Sequence, residues 1–152
     1  MIVTIIRTMV IVAAVDRSDR SGAVVREAAA LGEAFDDSVA VVHVLPREEF
    51  VSLERTNVSE TGEAVPVESV VETAESIAVE AIDETSATAT PVGLMGDPAD
   101  EITEYARNRD ARYIVVAGRK RSPVGKALFG SVVQSVLLGA DCPVVSIRAE
   151  SD

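Results

Sequence analysis

Five short apolar runs, each bounded by turn-forming residues and separated by stretches with helical spacing, constrain this chain more than any other feature. The first, Met9 to Val15, is apolar at consecutive positions and suits a strand buried on both faces. It ends at Asp16-Arg17-Ser18-Asp19, a cluster that favours turns and helix N-caps. From Asp19 to Ala34, Val24, Val25, Ala28, Ala29 and Leu31 recur at helical spacing, and Gly32 with Asp36-Asp37 marks the exit. Val39 to Leu45 is the second run, closed by Pro46, which cannot donate to a central ladder. Residues 46–66 mix Glu, Arg, Ser, Thr and Asn without a period and are expected to form a mobile loop. Pro66 then precedes a helical pattern over Val67 to Glu84. Thr88 to Leu94 is the third strand, Asp97-Pro98 caps a helix over Ala99 to Arg109, and Arg112 to Ala117 is the fourth strand. A short helix over Gly130 to Leu138 and a last strand, Pro143 to Ile147, complete the order.

Strand and helix in alternation call for a parallel sheet covered on both faces, and right-handed crossovers restrict it to doubly wound orders. The expected fold is a Rossmann-like α/β domain with a five-stranded parallel sheet, order 3-2-1-4-5, and four helices on both faces. Its switch point falls between strands one and four, whose carboxyl ends are Asp16 and Gly118. At 152 residues and 47% apolar content the chain supports one core. The domain is read as 9–148, with 1–8 an N-terminal extension and 149–152 a tail.

A formal net charge of −11 argues against DNA as a partner, because most of the surface repels a polyanion. Lys120 and Lys126 are the only lysines, so 12 of the 14 basic residues are arginine, against 25 acidic residues. That balance suits the high-salt cytoplasm of a halophile, where a Debye length of roughly 3 Å at 1 M salt screens self-repulsion. Cys142 is the only cysteine, which excludes an internal disulfide and fits a reducing interior. Met1 to Val15 is apolar, but Arg7 interrupts it and no small-residue cleavage site precedes Asp16. No other stretch approaches the ~20 apolar residues of a membrane span, so a cytoplasmic location without membrane contact is expected.

The segment Gly118 to Ser131 joins a buried strand to a helix through a loop holding Gly125 and four cations, Arg119, Lys120, Arg121 and Lys126. Glycines let main-chain N–H groups approach a ligand, and the helix starting near Ser131 adds unpaired donors and a positive dipole end. An anion such as nucleotide phosphate suits this unit. An ordinary Gly-Ser cap with solvated arginines also fits the composition. A P-loop does not, because six residues separate Gly118 from Gly125 and Ala127 replaces the magnesium-binding hydroxyl. Asp97, Asp100 and Glu101 read as helix capping rather than as a metal cluster. Asp16, His43 and Ser131 have the residue types of a hydrolytic triad, but no G-x-S-x-G elbow is present. His43, alone among valines, reads as a core residue, and Cys142 as a small packed one.

Together with Asp16, the stretch Gly96-Asp97-Pro98-Ala99-Asp100-Glu101-Ile102 and Cys142-Pro143-Val144-Val145, this loop resembles the universal stress protein family, in order from about Met9 to Arg148. In the family's ATP-binding branch the loop follows G-x2-G-x9-G-[ST]. Gly118 matches the first glycine and Gly130-Ser131 the closing pair, while Arg121 stands at the second glycine, eight residues before Gly130 instead of nine. The resemblance implies ATP, or AMP or ADP, bound by Ala14, Val15, Asp16, Val41, Gly118, Arg119, Arg121, Gly130, Ser131 and Val132. Asp16 faces the sugar or a nucleotide-bound Mg ion, or it only shapes the turn into the first helix. Arg121 either alters the loop or supplies a charge-assisted phosphate contact. The family also implies a homodimer through Pro143 to Ile147. The implied role is a stress-response or signalling module, the alternatives being a nucleotide-independent dimeric regulator and a slow ATPase.

Overall fold

The computed structural model describes residues 8–62, 66–118 and 130–148, with no side-chain description for Leu53, Asn57 and Thr61. The expected tail, and all but Thr8 of the expected extension, lie outside the described residues. Five strands, β1 (Val10–Ala14), β2 (Ser38–Pro46), β3 (Thr90–Gly96), β4 (Ala111–Gly118) and β5 (Val144–Arg148), form one sheet of order β3-β2-β1-β4-β5. Every pairing is parallel, as the unbroken apolar runs anticipate. The register places Val10 against Ser38 and Ala14 against Val42, and shifts once, between Val10 and Ile11, where β1 meets β4.

The helices are α1 (Ser21–Phe35), α2 (Arg47–Thr61), α3 (Val67–Asp83), α4 (Pro98–Asn108) and α5 (Ser131–Gly139). Alternation along the strands divides the core. Ile11, Ala13, Val39, Val41 and Val115 pack with Val24, Val25 and Ala28 of α1 and Ala78 and Ala81 of α3. Val12, Ala40, Val42, Ile114 and Val116 turn to the opposite face and meet Ala99, Ile102 and Ala106 of α4 and Val136 of α5. Each fully buried valine or isoleucine contributes about 1.5–3 kcal/mol, so both faces of β1 and β2 bind helices tightly. At Gly93 of β3 the backbone of α3 comes so close that a Cβ atom would sit 2.3 Å from the Val71 carbonyl oxygen.

One expectation is corrected. Residues 46–66, read as a loop, contain α2. Pro46 is extended at the N-cap, Glu48 and Glu49 face the positive end of the helix dipole, and Gly62 ends the helix at φ 76° with its N–H on the Val58 carbonyl. The helix has little apolar stripe, and among its described side chains Phe50 packs against the cluster of Leu45, Val70, Ala74 and Met95. Period reading fails on such a helix, whereas its end signals were present. The described residues therefore hold five helices rather than four. Strand β3 also starts two residues late, because the Thr85 hydroxyl donates to the Ile82 carbonyl and accepts from the Ala87 N–H, holding the chain in a turn.

At the amino ends of the strands, Asp37 ties the sheet together. Its Oδ1 accepts from the Met9 N–H at 3.0 Å and its Oδ2 from Arg112, whose guanidinium lies 4.5 Å over the Phe35 ring. This cluster is at the opposite end of the sheet from the site described next.

Candidate functional site

Chain order reverses between β1 and β4, and the carboxyl ends of these strands border a cleft of about 280 Å³. Its floor is Ala14, Val15, Val44, Val116 and Ala117. Its walls are Asp16, Arg17 and Ser21 from the β1–α1 turn, Glu49 of α2, Pro98 and Ile102 of α4, and Val132 and Val133 of α5.

The β1–α1 turn is built by Asp16 and Ser21. Asp16 Oδ1 accepts from the Ser18 N–H at 2.8 Å, an Asx-turn. The buried Ser21 hydroxyl donates to the Asp16 carbonyl at 2.8 Å, lies 3.3 Å from Asp16 Oδ1, and accepts from the Asp16 N–H at 3.2 Å. Burial raises the Asp16 carboxyl, but its hydrogen bonds from Ser18, the Arg20 charge and the bond from Ser21 outweigh that and hold it below its ordinary value. It is therefore an anion at neutral pH. The turn-shaping role of Asp16 is thus present, and the same residue also lines the cleft.

At the opposite wall, α5 starts from Gly130, extended at φ −65° and ψ 160°, and no side chain among the described residues caps its first turn. Its first-turn N–H groups and the positive end of its dipole are available to an anion. Arg17 Nη1 pairs with Glu49 Oε1 at 2.9 Å and links the β1–α1 turn to α2. Both partners are about half exposed, so the pair contributes roughly 0.2–1 kcal/mol and mainly sets the position of Glu49.

Of the residues picked out from the sequence, Ala14, Val15, Asp16 and Val132 line the cleft. Gly118 ends β4 beside it, and Gly130 and Ser131 lead into the part of α5 that lines it. Val41 does not reach it: its side chain is fully buried in the core beneath α1 and α3, and β2 contributes His43 and Val44 instead. Arg119 and Arg121 fall outside the described residues. His43, read as a core residue, is buried, and its Nδ1 lies 2.8 Å from the Val15 carbonyl oxygen. Arg17, Ser21, Glu49, Pro98, Ile102 and Val133 were not anticipated at the site, and Glu49 was hidden because its helix was unrecognised. Asp97 caps α4 as expected, its Oδ1 accepting from the Asp100 N–H at 3.0 Å. Among the described residues no group of three or more His, Cys, Asp or Glu side chains is placed to hold a metal ion. No helix among them is long and apolar enough to cross a membrane.

The sequence profile of the Universal stress protein family matches residues 8–148. A universal stress protein of Mycolicibacterium smegmatis is 40% identical over 58 residues, which cover 38% of this chain and 43% of that protein. The matched stretch thus spans less than half of that relative's length. The structure of a universal stress protein from Archaeoglobus fulgidus is 34% identical with a TM-score of 0.59, over 93% of this chain and 99% of that one. A structure of the universal stress protein from the same organism in complex with dAMP is 27% identical with a TM-score of 0.54, over 95% and 100% of the two chains. A profile that runs from the start of β1 to the end of β5, over a sheet of the same order, leaves one conclusion: the chain belongs to the universal stress protein family.

Proposed function

We propose that the cleft at the β1–β4 switch point binds an adenine nucleotide, ATP foremost and AMP or ADP in its place, and that the protein acts as a stress-response or signalling module through that binding. The observation that carries this reading is the pairing of two unlike ends in one cleft. The start of α5 offers N–H donors to phosphate, and the lining residues His43 and Glu49 carry buried acceptors, Nε2 and Oε2, that lack a partner among the described residues. The dAMP complex of the relative from Archaeoglobus fulgidus supports the choice of adenine.

In this reading Gly118, Gly130, Ser131 and Val132 hold the phosphates, with Arg119 and Arg121 assigned by sequence to the same group. Ala14, Val15 and Val44 pack on base and sugar, and Asp16 meets the ribose or a Mg ion carried by the nucleotide. The Asp16 anion suits either partner. The role is binding. Calorimetry with ATP and Mg at high salt, which the acidic composition of a halophilic cytoplasmic protein calls for, tests it. Saturable heat that is weakened by Ser131→Ala is expected, and no heat at millimolar nucleotide refutes the reading.

The proposal includes a homodimer through the Pro143–Ile147 segment. Strand β5 is an edge of the sheet, its Val144, Val145 and Ile147 are only partly buried, and Leu138 on neighbouring α5 is 82% exposed. Light scattering at several protein concentrations should give twice the 16.0 kDa chain mass, and a constant monomer mass refutes the dimer.

A further inference from the structure

Strand β5 is an edge of the sheet, and its bonds to β4 fix which of its main-chain groups stay free. The Ile114 N–H donates to the Pro143 carbonyl at 3.1 Å, and Ile114, Val116 and Gly118 stand opposite Val144, Ser146 and Arg148. Along a parallel ladder, every second residue turns its N–H and C=O to the same side. Val145 and Ile147 therefore follow Pro143 towards β4. Val144, Ser146 and Arg148 turn their main-chain groups outward, where no strand follows β5 in the described sheet.

The side chain of Ser146 carries a separate signal. Val144 packs on the α4 and α5 side of the sheet and Val145 and Ile147 on the α1 and α3 side, so Ser146 shares the Val144 side. Its hydroxyl oxygen is shielded from solvent and has no hydrogen-bond partner among the described residues. A hydroxyl both donates and accepts, and one left alone at a buried position on an edge strand is best answered from across that edge.

We infer that Ser146 lies on the two-fold axis of the homodimer, with its hydroxyl bonded to that of the partner's Ser146. This rests on the proposed dimer and specifies its register. A closed dimer brings the same edge from both copies, so the two β5 strands run antiparallel. With Ser146 opposite itself, Val144 meets the partner's Arg148, Arg148 meets the partner's Val144, and every outward N–H and C=O of β5 is paired. An axis at Val145 leaves Arg148 without a counterpart in β5, and an axis at Ile147 leaves Val144 without one. On the other side of the sheet, Val145 stands against the partner's Ile147, an apolar cross-strand pair. Main-chain pairing and the lone hydroxyl thus select the same residue.

Disulfide trapping reads the register directly. Cys142 is the only cysteine, so Cys142→Ala supplies a thiol-free chain into which single cysteines are placed. In the inferred register the Cα atoms of the two Ser146 residues lie about 5.5 Å apart, inside the range a disulfide spans. Those of Val145, or of Ile147, lie roughly 8 Å from their own copies, beyond that range. On oxidation with copper phenanthroline, Ser146→Cys should give at least about tenfold more linked species, at twice the 16.0 kDa chain mass, than Val145→Cys or Ile147→Cys alone. Val145→Cys mixed with Ile147→Cys should link as a pair, which keeps the register testable should Ser146→Cys not fold. Equal trapping at all these positions, or self-linking of Val145→Cys or Ile147→Cys with a folded Ser146→Cys untrapped, overturns the register while the dimer stands. A dimer by light scattering with no trapping at any of them puts the interface elsewhere and overturns the inference. A constant monomer mass for the wild type refutes the dimer and the inference with it.

Discussion

Gly93 offers a test of the packing that needs no ligand. Its φ is open to any residue, so an alanine there meets no backbone strain, and on unfolded-state entropy alone Gly93→Ala should stabilise by about 0.4–1 kcal/mol. Space decides otherwise. The new Cβ falls 2.3 Å from the Val71 carbonyl oxygen and 2.4 Å from the Glu75 amide nitrogen, where ordinary contact begins at 3.4 Å. The shortfall is about 1 Å, and both obstacles are backbone atoms of α3, so no side chain can swing aside. Helix α3 has to lift off β3, which loosens the seats of Val70, Ala74 and Ala78 at once. Overpacking costs typically 1–3 kcal/mol, and backbone obstruction puts this case at the upper end, about 3 kcal/mol. For a domain of this length that is a fall in Tm of roughly 6–12 °C. Gly62→Ala is the control. Its φ of 76° strains an alanine, but among the described residues nothing lies within 4 Å, so the loss should be about 1 kcal/mol, or roughly 2–4 °C. Thermal melts of both variants followed by circular dichroism decide the matter. A Gly93→Ala variant that melts within about 2 °C of wild type, or above Gly62→Ala, refutes the close approach of α3 to β3.

Acid should destabilise the protein in two steps, measured as urea midpoints at about 1 M salt, where the net charge of −11 is screened. His43 lies below its ordinary 6.5 in the fold, so the unfolded chain binds the extra proton first and stability falls as pH drops below about 6.5. It is the only histidine, so a flat profile between about pH 7 and 6, above the range where the raised Glu101 carboxyl adds an opposing trend, refutes its burial as a neutral ring. Asp37 is lowered chiefly by its hydrogen bond from Arg112, and Asp16 by bonds from Ser18 that outweigh its burial. Both lie below 3.8 in the fold, so the second loss begins as pH falls through that value. Arg112→Met strands the buried Asp37 carboxylate and should lower Tm. Asp37→Asn added to it should restore part of the loss, and a double variant no more stable than the single one refutes the pairing.

The sheet was legible because burial on both faces leaves a mark that polar substitution cannot hide. Val39 to Leu45 has one polar residue in seven, and a strand so composed must lie between two helical layers. Handedness narrowed the strand order to doubly wound arrangements, of which 3-2-1-4-5 is the one observed. The missed helix shows the limit of that method. The described side chains of Arg47 to Thr61 bury almost nothing and the segment has no clear apolar period, so the signals that hold it helical are local: Pro46 before the start, acids in the first turn, and Gly62 at the end. Those signals were in the sequence, but a reading weighted towards periodicity passes over a helix that barely touches the core.

The cleft shows a different limit, since its chemistry depends on groups that sequence separates. His43 shares a face of β2 with Val39 and Val41 and reads as core, and by exposure it is core. What sequence does not show is the Val15 carbonyl, 28 residues earlier, which satisfies one ring nitrogen and thereby fixes the other as an acceptor. Glu49 gains its role in the same indirect way, from Arg17 across the β1–α1 turn. Neither relation has a spacing that a motif could record. On the proposed reading, Gly118 and Gly130 were candidates from sequence because a phosphate would be met by backbone, and backbone conformation is written in glycine. A base is met by side chains that different strands and helices bring together. Backbone donors in such a cleft are therefore legible before the fold is known, and its side-chain acceptors only after it.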